Sequence, residues 1–242
     1  MYAVFKRELF ALLNSLMAYI TIGAFLLAAG LLLWVFPDTS ILDYGYAELN
    51  GFFSLIPFLF IFLIPAMTMR SFAEERREGT YVLLAIRPIT EWQIILAKYF
   101  ACLTLVLFAL LPTLIYYFSV HQLGLPSGNI DTGAVIGSYI GLLLLGSSFT
   151  SVGVFASSLS KNQVIAFAIA AFICFLCYTG IDAMGKNLSL QSFETLFNNL
   201  SVNAHYQSLG RGVLDTRDVL YFLTFDVLFL SLTRFVIGGR KW

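Results

Sequence analysis

Few residues of this 242-residue chain have the types and spacing that could do chemistry. Cys174-Phe-Leu-Cys177 has the spacing of a redox or zinc motif, but no second ligand pair and no flanking polar residue accompanies it. These two cysteines and Cys102 fall inside apolar runs, where a thiol packs as a small apolar side chain. His121 and His205 stand in separate connections without a metal-ligating neighbour at usable spacing. Neither G-x-S-x-G nor H-E-x-x-H occurs, and no G-x-x-x-x-G-K-[ST] run is present to cradle phosphates. Catalysis, a metal site and a cofactor in this chain are therefore not expected. What remains is one carboxylate, Asp226, and one charged stretch.

Asp226 lies near the middle of an apolar run, where an unpaired carboxylate costs roughly 2.5 to 3.5 kcal/mol. The cost demands an inward orientation and a polar partner, and a functional role and a hydrogen bond to a Ser/Thr-rich neighbouring helix both meet that demand. Asp182 is close enough to a run's end to reach water, and Arg234 is placed to snorkel. The charged stretch is more distinctive. Five of the fourteen Lys and Arg residues lie between Arg70 and Lys98, interleaved with four Glu. Arg70 to Glu78 reads as a short polar helix with mixed charge all round, ended by Gly79, the residue type best suited to a left-handed C-terminal position. An apolar stretch, Tyr81 to Ile86, leads to Arg87-Pro88, and Thr90-Glu-Trp-Gln93 then has the form of a capping box that starts the next helix, with Trp92 at headgroup depth. A solvated face and a rigid docking knob are both compatible with this composition.

The elements that must position these residues cross a membrane. Charged residues make up 12% of the chain against about 25% in soluble domains, mean hydropathy is +0.85 and there are 24 Phe. Six apolar runs, Leu16–Phe36, Gly51–Met69, Tyr99–Val120, Gly133–Ser158, Gln163–Met184 and Val219–Ile237, are each long enough to cross a core of about 30 Å. They occupy more than half of the chain and leave no room for a separate soluble catalytic domain, so residues 1–242 form one all-α membrane domain. The formal net charge of zero argues against a nucleic-acid partner. Counted over alternate connections, eleven Lys and Arg fall on one side and three, Lys186, Arg211 and Arg217, on the other, which puts both termini in the cytoplasm.

Within this frame the first fifteen residues carry Phe5, Leu9, Leu12, Leu13 and Leu16 at helical spacing, with Lys6, Arg7 and Glu8 off that stripe, as suits a helix lying in the membrane interface. The run after them is longer than a signal-peptide core, so it is expected to be retained as the first span. Pro57 and Pro65 in the second run and Pro112 in the third are kink positions. The fourth run holds Gly133, Gly137, Gly141, Gly146, Ser147, Ser148, Ser151, Gly153, Ala156 and Ser157, small residues that let helix backbones approach closely. Gly185 to Asp218 is a long connection expected to carry one or two short helices over the outer mouth.

Phe72-Ala-Glu-Glu-Arg-Arg-Glu-Gly-Thr80, followed by Leu83-Leu84, Pro88, Thr90 and Lys98, resembles the cytoplasmic segment after the second span of ABC-2 type transporter permeases. Ser157-Ser-Leu-Ser-Lys-Asn-Gln163 through Ala166 resembles the connection between their fourth and fifth spans, and Gly212-Val-Leu-Asp-Thr-Arg-Asp-Val-Leu-Tyr-Phe222 the entry to their last. The resemblance extends to Arg240-Lys-Trp242 and is greatest to the gliding-motility-associated permease subunits of Bacteroidetes. It implies a six-span half-transporter in a bacterial inner membrane, an exporter, pairing with a second copy or a related permease among membrane lipids. It also implies that Phe72, Glu74, Glu75, Arg76, Arg77, Glu78, Gly79 and Thr80 form the coupling helix for a separate ABC ATPase, which would bind the ATP and Mg. A non-transporting scaffold or channel subunit and an intramembrane enzyme centred on Asp226 are the alternatives.

Overall fold

A computed structural model describes residues 1–37, 39–41, 46, 48–80, 89–124, 128–183, 199–210 and 215–239. The Tyr81 to Pro88 stretch, the fifth run's Met184, the connection through residue 198, Arg211, Gly212 and the terminal Arg240-Lys-Trp242 lie outside the described residues. All regular structure among the described residues is helical, and six helical segments are long and apolar enough to span a membrane.

A short helix, α1 (Tyr2–Leu13), precedes the first span, α2 (Leu16–Trp34). The second span is α3 (Asn50–Thr68), which passes through a one-residue break at Met69 into the polar helix α4 (Arg70–Glu78). Gly79 closes α4 at φ 72°, the left-handed conformation expected of it. The third span is α5 (Glu91–Leu110), a 3-10 turn at Leu111–Thr113 containing Pro112, and α6 (Leu114–Leu123). It begins eight residues before Tyr99 because the capping box forms: the Thr90 hydroxyl accepts from the Gln93 N–H at 3.4 Å, and Gln93 Oε1 accepts from the Thr90 N–H at 3.3 Å. The fourth span is α7 (Thr132–Leu159), and α8 (Gln163–Phe175) continues through a π turn at Leu176–Gly180 to complete the fifth. A short helix, α9 (Val202–Leu209), precedes the last span, α10 (Thr216–Gly238).

The small residues of α7 make it the central helix. Its most apolar stretch is 78% buried, against 22% for α2 and 28% for α10. It packs on α3, α4, α5, α8, α9 and α10. The closest approach is at Gly153, where an added Cβ would lie 2.0 Å from Thr68 Oγ1 of α3. Gly146 meets Val106 of α5, and Gly141 meets Tyr206 and Leu209 of α9. Gly133, by contrast, is exposed and outside the packed stripe. At the end of the bundle opposite α4, the Tyr206 hydroxyl donates to the Phe53 carbonyl at 2.7 Å, and burial pushes that phenol well above its usual pKa. His205 lies 2.7 Å from Asp218 through Nδ1 and 3.0 Å from the Asn199 carbonyl through Nε2, so α9 is tied to the start of α10.

Candidate functional sites

The charged stretch folds around a lysine that is 1% exposed. Lys98 lies on α5 between apolar neighbours, and its Nζ sits 2.7 Å from the Ser71 carbonyl, 3.0 Å from Glu75 Oε1 and 3.1 Å from Glu8 Oε2. Each N–H of the ammonium thus has an acceptor, and the cation also lies 5.1 Å from the centre of the Phe72 ring. Arg7 completes the cluster through Glu8 and through Glu75 at 2.9 Å. Two cations and two carboxylates balance, joining α1, α4 and α5 in one ionic knot. Burial pushes the Glu8 carboxyl up, but Lys98 and Arg7 together outweigh it and hold its pKa below the usual carboxylate range. Glu8 was expected off the apolar stripe of α1; it instead shares the inward face with Val4, four residues before it, because Lys98 is there to receive it.

A second set of contacts seats α4. The Ser157 hydroxyl of α7 accepts from the Phe72 and Ala73 N–H groups at 2.9 and 3.1 Å and donates to the Met69 carbonyl at 2.9 Å. One side chain thereby satisfies two of the N–H groups that a helix start leaves open. Buried Arg76 donates to the Ser158 carbonyl, and Arg70 reaches Ser15 at 2.9 Å and Glu74 at 3.1 Å.

These contacts divide the eight residues grouped on α4 by sequence. Phe72, Glu75 and Arg76 are turned into the bundle, so charges of both signs stand on the inward side of the helix as well as on its outer side. Arg77 and Glu78, with side chains 59% and 53% exposed, face away from it together with Gly79 and Thr80, and Glu74 lies at the margin. Arg234, near the end of α10, pairs with Glu91 at 3.3 Å and lies over the Trp92 ring. From the sequence, Lys98 is one positive charge among five in the stretch and a residue of the family motif, and neither role marks it as a hub. The signal was its setting in Ile94-Ile95-Leu96-Ala97-Lys98, where a free ammonium would have no reason to stand.

Asp226 of α10 is 6% exposed. Its Oδ2 accepts from the Ser147 hydroxyl of α7 at 2.8 Å and from the Tyr99 hydroxyl of α5 at 3.0 Å. The fourth span thus supplies a hydroxyl, as one reading of the sequence required, and the third span adds a phenol that the sequence reading missed. Asp226 Oδ1 is buried without a hydrogen-bond partner, and so is Ser148 Oγ. Among the described residues, no group of three or more His, Cys, Asp or Glu could hold a metal ion; Cys174 is buried and Cys177 partly so.

Residues 37–200 match the family model described as ABC-2 family transporter protein. The chain belongs to that family. The match covers the second to fifth spans, including α4, Lys98 and the whole of α7, and stops short of α10 and Asp226. No curated protein matches the sequence. Membership makes this chain the membrane subunit of an ABC-2 transporter, a non-catalytic permease whose family implies an ABC ATPase partner.

Proposed function

We propose that this permease is driven through α4, with Arg77, Glu78, Gly79 and Thr80 as the surface that meets the ATPase and Glu74 at its edge. The observation that carries this reading is the split of α4 into a buried side, anchored by Lys98 and Ser157, and an exposed charged tip. A helix held at one side and free at the other can pass displacement from a soluble motor into the spans, whereas a solvated face has no need of a buried lysine beneath it. Nucleotide-driven closure of the ATPase would then bias the bundle between two access states. The excess of Lys and Arg on the connections at this end supports a cytoplasmic position for α4 and for both termini in an inner membrane. Two copies of the chain, or one copy and a related permease, would complete the path. The sequence resemblance supports an exporter of the gliding-motility-associated branch.

The test separates tip from anchor. R77E/E78K is expected to lose co-purification of the ATPase while the permease still assembles in the membrane at wild-type yield. Retention of the ATPase by that variant would overturn the assignment of the tip.

A further inference from the structure

Asp226 poses a charge problem that the transport reading does not answer. Its carboxylate sits inside the bundle, and among the described residues no Lys, Arg or His forms an ion pair with it. The groups facing it come from two helices. Tyr99 of α5 is the titratable one; α7 contributes only hydroxyls, those of Ser147, Ser148 and Ser151. The nearby ionisable groups are committed elsewhere: the Lys98 ammonium to Glu8 and Glu75, Arg234 to Glu91, and His205 of α9 to Asp218. Both protein donors converge on one oxygen, Oδ2, which leaves Oδ1 with none.

The second observation is Ser148. Thr150 and Ser151 turn their hydroxyls back to the Gly146 and Ser148 carbonyls of α7, but Ser148 Oγ, fully buried and facing the carboxylate, has no partner in hydrogen-bond geometry. Two bare oxygens, one of them formally charged, therefore lie on the same helix contact. Buried polar atoms without partners call for a bound water, an ion or a functional role, and carboxylates inside membrane bundles are found along ion and proton pathways. A bare carboxylate oxygen beside a bare hydroxyl oxygen has acceptors to offer and lacks positive charge.

We infer that Asp226, with Ser148, binds a dissociable monovalent cation inside the bundle, supplied as a proton or as sodium. In either form the cation sits on Oδ1 and neutralises the carboxylate, while Tyr99 and Ser147 keep Oδ2 in place. The site links α10 to α5 and α7, so its occupancy reports on the packing of the three helices that meet there.

The experiment uses the full-length permease with its ATPase in lipid nanodiscs. For the proton arm, infrared difference spectra across a pH titration read the stretching band of a protonated carboxyl group. For the sodium arm, the thermal midpoint is followed as sodium chloride replaces choline chloride at constant ionic strength and pH. Wild type is expected to show either a protonated carboxyl band that persists at neutral pH, where an ordinary carboxylate is ionised, or a sodium-dependent rise in midpoint, and D226N to lose it. S148A, which leaves both bonds to Oδ2 intact, is expected to shift the response to higher proton or sodium concentration. A wild-type protein with neither response, or a response that persists unchanged in D226N or in S148A, would overturn the site. A merely structural Asp226 would lower the midpoint on substitution without creating or removing a cation dependence.

Discussion

Lys98 is more deeply enclosed than any other charged side chain described here, and what surrounds it decides how it can be changed. Removing one partner of a buried pair leaves the others uncompensated and costs about 3 to 5 kcal/mol. K98M is therefore expected to destabilise the permease by about that amount, read from chemical unfolding in detergent, whereas adding E8Q and E75Q to K98M should recover part of the loss because no bare charge remains. Glu8 adds a pH dependence of known sign. Glu8 has its pKa depressed in the folded state, so its contribution is present above the unfolded value of about 4.3 and is lost as pH falls through the lower folded value. Thermal midpoints measured down a pH series should fall in that acid window for wild type, and E8Q should lack the component. None of this knot was legible from charge counting. The charges of Arg7, Glu8, Glu75 and Lys98 were visible, but pairing across 23 to 90 positions depends on how α1 and α4 pack on α5, which periodicity does not encode.

For helices, length and hydropathy carried the reading further than side-chain chemistry did. All six spans were readable because crossing a bilayer demands a long apolar run, a requirement that depends on no tertiary contact. Their ends were readable only where a local motif fixes them, as Gly79 and the Thr90/Gln93 box do; the uncharged run alone begins at Tyr99, and the box puts the helix start after Pro88, where the structure has it at Glu91. The small residues of α7 announced close packing but not which neighbour would use each. Gly153 faces the Cβ of Thr68 as well as its hydroxyl, and that atom has no freedom to swing away. G153A is expected to destabilise the protein by about 1 to 3 kcal/mol through overpacking, whereas G23A, on an exposed and open position of α2, should be neutral or slightly stabilising through helix propensity. Thermal midpoints of the two single variants, compared side by side, check the difference.

Across the whole molecule, the positive charge asymmetry and the position of α4 make one topological prediction. A cysteine introduced at exposed Lys161, in the connection between the fourth and fifth spans, should react with a membrane-impermeant thiol reagent only from the cytoplasmic side, and one at exposed Asn129 only from the other. The native thiols are buried or half-buried and should contribute little background. The reverse labelling pattern would place the exposed tip of α4 away from any cytosolic motor.

The central place of α7 bears on how the protein is made. Its packing partners are spread from the second span to the last, so α3 and α5 leave the ribosome before the helix that covers their inward faces exists. Thr68 and Val106 must wait until α7 arrives, and Ser147 then waits in turn for Asp226, which is synthesised 79 residues later. Assembly of the native bundle is thus deferred until the final helix is inserted. Between those events the Ser147 hydroxyl faces the membrane without its carboxylate partner.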